Sequence, residues 1–166
     1  MKFNKTNTER LTNLFLQEQF PVLKQEISKV IEISVLHDTA QDHHYVRFIC
    51  YTLLGLTAFE EKLYGDSCEY LTKSAIAKKS PVIASFGPNM LLAHQLSHKG
   101  YTKEVAEFLV HFEDISASSH FATFTPSAWI SSLKSGKKPD FAQHVFMHLA
   151  PNKGLIESLK HYLKST

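Results

Sequence analysis

Cysteine is scarce: Cys50 and Cys68 are the only two in 166 residues. Two thiols make no disulfide framework, and the chain is expected in a reducing compartment, most simply the cytoplasm. No stretch approaches the roughly 18 consecutive apolar residues of a membrane span, so no membrane partner is expected. Met1-Lys2-Phe3-Asn4-Lys5 carries charge but no apolar region behind it, which is not the pattern of a secretory signal. An excess of either charge is also missing. Eighteen Lys and Arg stand against sixteen Asp and Glu, a net +2, which gives no overall electrostatic case for nucleic acid. Apolar residues at 43% and charged residues at 20% are globular proportions that exclude a disordered tail or a fibre. A chain of this length buries about 70% of its extended surface and needs neither metal nor disulfide to fold.

Strand signals are absent as well, while helix signals run from end to end. Thr6-Asn7-Thr8-Glu9 reads as a capping box before a Leu11, Leu14, Phe15 stripe. Beyond Pro21, apolar residues from Val22 to Ile31 recur at threes and fours. The tail from Val30 to Leu36 also alternates, but a strand there would have no second strand to pair with, so it is assigned to helix. After a polar break from His37 to Gln41, a long apolar helix is expected from about Tyr45 to Leu63. Asp66 is expected to cap the next helix and Lys78-Lys79-Ser80-Pro81 to close it. Ser85-Phe86-Gly87-Pro88 is expected to open another, with proline at its first position. Further helices are expected from Thr102 to about Ile115, after Thr125-Pro126, from Asp140, and from Leu155 to Leu163, with a serine-rich linker at Ser116 to His120. The chain is therefore expected to be all-α, about nine helices in a single domain. It divides into an N-terminal helical pair (1–41), two repeat-like hairpins (42–115), and a degenerate third hairpin with a capping helix (120–166).

Gly65, Gly100 and Gly136 stand 35 and 36 residues apart. Shortly after each comes a related tetrad: Cys68-Glu69-Tyr70-Leu71, Ala106-Glu107-Phe108-Leu109 and, more weakly, Ala142-Gln143-His144-Val145. A period in the thirties is the mark of stacked helical hairpins, whose units bury their apolar faces on one another. Tyr51, Leu54, Gly55, Cys68, Ala75 and Pro81 fall close to the signature positions of one such unit. On these residues the chain resembles the tetratricopeptide repeat family over about residues 45–115. It departs from the family pattern at Ala58, where an aromatic is expected. The resemblance implies stacked antiparallel hairpins.

Ten histidines are the compositional oddity. His94/His98 and His144/His148 have the i, i+4 spacing that puts two rings on one helical face, and Asp140 extends the second pair. Such a stripe is able to share a zinc or nickel ion, which would suit a metal-dependent hydrolase. Neither pair has the glutamate of an H-E-x-x-H site. Asp140, His144 and His148 are instead expected to form a hydrated polar face, with no metal and no cofactor. His43-His44 is expected to be a solvent-exposed helix start, and Cys50 and Cys68 to be small core residues. Lys134, Lys137, Lys138 and Lys153 near Phe121, Phe124 and Trp129 are read as a solvated turn over core aromatics rather than a nucleic-acid surface.

With no catalytic constellation in view, the expected function is non-enzymatic protein binding. A bacterial immunity protein that occludes a toxin domain is its most specific form, and the metal-dependent hydrolase is the alternative. The candidate partner contacts are Glu60 and Glu61, acids at a helix end where the dipole disfavours them. To these are added Asn89, in the first turn of an expected helix, and the His94/His98 pair. The outward Glu157, Lys160 and Lys164 of the final helix resemble a polar cap, so the chain is expected as a monomer or weak homo-oligomer.

Overall fold

In the computed structural model, residues 5–36, 40–116 and 123–165 are described. Residues 37–39, within the expected polar break, and 117–122, which include most of the serine-rich linker, lie outside them. The described residues form ten α-helices and no strand, an all-α domain around one continuous core. The two N-terminal helices are α1 (Lys5–Leu16) and α2 (Phe20–Leu36). Thr6 lies inside α1 rather than ahead of it, and the alternating tail at 30–36 is helical.

The long helix α3 (Ala40–Glu60) is the axis of the fold. Val46, Phe48, Ile49, Cys50, Leu53 and Leu56 are all buried along it, because α1, α2, α5 and α6 and the following helix pack around it. That following helix, α4 (Tyr64–Ser74), returns antiparallel after a short turn in which Lys62 adopts φ 62°. Gly55 lies where they cross, with little room for a side chain. A Cβ on it would stand 2.3 Å from Leu92 Cδ2 and 3.2 Å from Tyr70 Cβ. Ser67 uses the same close approach to donate to the Gly55 carbonyl at 2.9 Å.

A 3₁₀ turn (Ala75–Lys79) leads to α5 (Pro81–Phe86), then α6 (Leu91–Lys99), α7 (Thr102–Val110) and α8 (Glu113–Ser116). Helix α9 (Pro126–Lys134) packs on α7, and α10 (Lys153–Ser165) packs back on α1. Phe15 meets Tyr162 edge-on at 5.3 Å, and Thr12 Oγ1 donates to the Leu149 carbonyl at 3.0 Å, so the two ends of the chain share one core.

Several expected boundaries move. Asp66 lies within the first turn of α4 and makes no capping hydrogen bond. Gly65 is also inside α4, so of the three evenly spaced glycines only Gly100 and Gly136 have the positive φ of a turn glycine. Pro81 and Pro126 stand at first helical positions, and Pro88 does not. Gly87 turns the chain out at φ 78°, Pro88 and Asn89 are non-helical, and α6 starts at Leu91. The helix expected from Thr102 to Ile115 is interrupted at His111 and Phe112. The segment after Asp140 forms only a 3₁₀ turn (Ala142–Val145), so the third unit has no second α-helix of its own.

Candidate functional site

The residues singled out from the sequence are mostly consumed by the fold. The Glu60 carboxylate accepts a hydrogen bond from the Tyr162 hydroxyl at 2.5 Å, which ties α3 to α10. Burial pushes the Tyr162 phenol well above its ordinary range, and the Glu60 charge adds to it. Glu61 accepts from Lys24 Nζ at 2.7 Å on both oxygens, joining α3 to α2. Both acids therefore have partners within the chain, with Glu61 still exposed just past the end of α3.

Asn89 is not a surface contact either. It is only 2% exposed, and its amide donates to the carbonyls of Val145 at 3.0 Å and Met147 at 2.6 Å. Its Oδ1 accepts from the Leu91 N–H at 2.8 Å, which satisfies the first free N–H of α6. A backbone bond from Met90 N–H to the His144 carbonyl, 2.8 Å, completes the anchor. One asparagine thus holds the irregular 141–149 segment against the start of α6.

That anchoring overturns the expected His144/His148 stripe. Ala142 (φ 49°) and His148 (φ 67°) are left-handed, so the segment cannot be a helix and the i, i+4 rule does not apply. His144 is fully buried, with its ring against Trp129 (5.5 Å) and Phe124 (5.6 Å) and its Nε2 3.2 Å from Thr123 Oγ1. Burial, with His148 as a second positive charge, holds its pKa down at about 4. His148 Nε2 donates to the Gly87 carbonyl at 2.8 Å between Tyr45 and Phe48; burial lowers its pKa and the Gly87 bond opposes the shift. Phe124 and Trp129 are core residues beside them, while Phe121 lies outside the described residues.

The other pair does sit on one helix. The His94 and His98 rings lie 4.1 Å apart on α6, and His98 Nδ1 is 2.9 Å from the His94 carbonyl. His94 is half-buried; desolvation first, then the His98 charge, depresses its pKa to about 4. Among the described residues, no three of His, Cys, Asp and Glu gather in an arrangement able to hold a metal ion. Burial raises the Cys50 thiol to about 12 and the Cys68 thiol to about 11, the latter with help from Glu104. Neither is a thiolate nucleophile near neutral pH.

What the hairpin leaves on its surface is a row of large side chains that sequence reasoning passed over. Arg47 and Tyr51 are one turn apart on α3, and the guanidinium sits over the Tyr51 ring at 5.9 Å. Tyr51 stacks with Tyr70 of α4 at 6.3 Å, and Lys73 Nζ lies over the Tyr70 ring at 5.3 Å. Arg47, Tyr51 and Tyr70 are each part-exposed and Lys73 exposed. At the Arg47 end stands His44, with Lys79 close enough to depress its pKa, after burial and His43. His43 and His44 are half-buried rather than the solvated cap expected of them, and His44 Nδ1 and Arg47 Nε are buried with no hydrogen-bond partner. The row was visible only as two local spacings, Arg47/Tyr51 at i, i+4 and Tyr70/Lys73 at i, i+3. The helix pairing joins them.

The fold and this face define an all-α helical domain with a cation–tyrosine row across one hairpin. A scan of protein-family models and searches of curated proteins and of solved structures find no match to the chain. No helix among the described residues is long and apolar enough to cross a membrane.

Proposed function

We propose that the chain is a non-enzymatic protein-binding module of stacked helical hairpins, with the α3–α4 face as its contact surface. The observation that carries this reading is the row Arg47–Tyr51–Tyr70–Lys73, whose part-buried rings are preorganised by their own stacking under two cations. Tyrosine and arginine dominate binding hot spots because they combine large apolar area with directional donors, and rings already fixed lose little entropy on docking. Of the polar residues singled out, Asn89 and His144 are buried in the core and Glu60 and Glu61 are paired to other helices. The specific form of the reading is an immunity protein that occludes a toxin domain, acting in the cytoplasm as a monomer or weak homo-oligomer.

The test is capture of partners from native lysate, with Tyr51→Ala/Tyr70→Ala as the matched control. A stoichiometric protein retained by the native chain and lost from the folded double variant supports the reading. A retained protein that is indifferent to both substitutions moves the contact elsewhere, and capture of none contradicts it.

A further inference from the structure

The chemistry of the row specifies its ligand more narrowly than a binding face alone. His44, Arg47 and Tyr51 are spaced at i, i+3 and i+7, one face of α3. Tyr70 and Lys73 continue that face across α4, and Lys79 flanks it from the 3₁₀ turn that packs on α3. Two carboxylates lie on the α4 side: Glu69, paired with Lys73 at 2.6 Å, and exposed Asp66 one turn ahead of Tyr70, so the unspent positive charge of the strip is on Arg47 and Lys79, with His44 protonatable. Arg47, by contrast, makes no ion pair among the described residues, and its buried Nε has no acceptor. The part-exposed terminal N–H groups of this unpaired guanidinium can receive a carboxylate, whose two oxygens match its planar fork.

We propose that this strip is a recognition site for an acidic segment of a protein, a carboxylate seating on Arg47 and His44 while the tyrosine hydroxyls and Lys79 hold its neighbours. The proposal rests on the protein-binding reading and adds the chemistry of the partner. Single-stranded nucleic acid also pairs cations with rings, but it needs open ring faces for base stacking. Here each ring already stacks on the other and carries a cation over it, so the strip presents hydroxyls and N–H donors instead. A net charge of only +2 also supplies little of the long-range field that phosphate backbones exploit.

The experiment is a titration of the isotopically labelled full chain, followed by amide NMR, with a glutamate-rich peptide and separately with a thymidine oligonucleotide. The peptide should shift amides of residues 44–51 and 69–79 saturably. Arg47→Gln should weaken its binding by roughly tenfold, the scale of a charge-assisted hydrogen bond, and Lys79→Gln by less. Lys103→Gln, exposed on α7, is the control and should change nothing; melting curves confirm that all three variants fold. Peptide shifts spread over the whole surface, or unaffected by Arg47→Gln, overturn the proposal. Tighter binding of the oligonucleotide at these amides also overturns it and reassigns the strip to nucleic acid. If the double tyrosine variant loses its lysate partner while the peptide fails to bind, the docking face stands and the acidic partner chemistry falls.

Discussion

Asn89→Ala separates a structural role from a contact role at one residue. The side chain is 2% exposed and makes three hydrogen bonds, two donated to the Val145 and Met147 carbonyls and one accepted from the Leu91 N–H. Alanine removes all three and leaves two carbonyls and one N–H buried beside a small void. At about 1 kcal/mol for each bond, and more for each group that water cannot reach, the loss is roughly 3–5 kcal/mol. Domains of this kind are stable by about 5–15 kcal/mol in total, so the melting midpoint should fall by on the order of 10 °C. Asn89→Asp is the sharper variant. It keeps the acceptor toward Leu91 but turns a carboxylate oxygen toward two carbonyls, and it should cost at least as much. Urea unfolding followed by circular dichroism measures both. A loss below about 1 kcal/mol for Asn89→Ala would refute the anchoring argument.

Acid should destabilise the fold through its buried histidines. The pKa values of His94 and His144 are depressed to about 4, so the unfolded chain binds more protons than the folded one between the ordinary histidine range and that value. Their contribution is complete above about pH 6.5 and is lost as pH falls toward about 4. Urea midpoints across that window should decline, and His144→Gln should flatten the decline; a midpoint independent of pH would contradict the burial of these rings. Gly55→Ala should destabilise by up to about 2 kcal/mol, because overpacking of roughly 1–3 kcal/mol against buried Leu92 and Tyr70 Cβ is only partly offset by the helix-propensity gain of about 1 kcal/mol. A stabilised Gly55→Ala protein, read by thermal melting, would show that α3, α4 and α6 do not approach so closely. Cys50 should resist thiol reagents at neutral pH until urea unfolds the chain, and rapid labelling of the native protein, followed by mass spectrometry, would contradict its full burial.

Periodicity made most of the helices legible, because a 3.6-residue apolar stripe is a property of the chain itself. The alternating tail at 30–36 resolved to helix for the reason available in advance, the lack of any strand to pair with it. The errors fall where distant contacts override local preference. Ser85-Phe86-Gly87-Pro88 carries every local mark of a helix start, yet α6 starts only at Leu91, after Asn89 is tied to carbonyls 56 and 58 residues away. The same bonds hold 141–149 out of the helix its spacing suggests. Glu60 looked like an unfavourable helix-end charge until its partner 102 residues on, Tyr162, was in place. The strip on α3 and α4 was unreadable for the converse reason. Arg47, Tyr51, Tyr70 and Lys73 are ordinary surface residues in sequence, and only the register of the hairpin lines them up.

Hydrogen exchange of the captured complex, compared with the free chain, tests the proposed contact face most directly. Binding should slow amide exchange at residues 44–51 and 69–79 and leave α9 and α10 unchanged. Protection confined to α9 and α10, or to the face of α2, would contradict the assignment of the α3–α4 hairpin as the surface that binds.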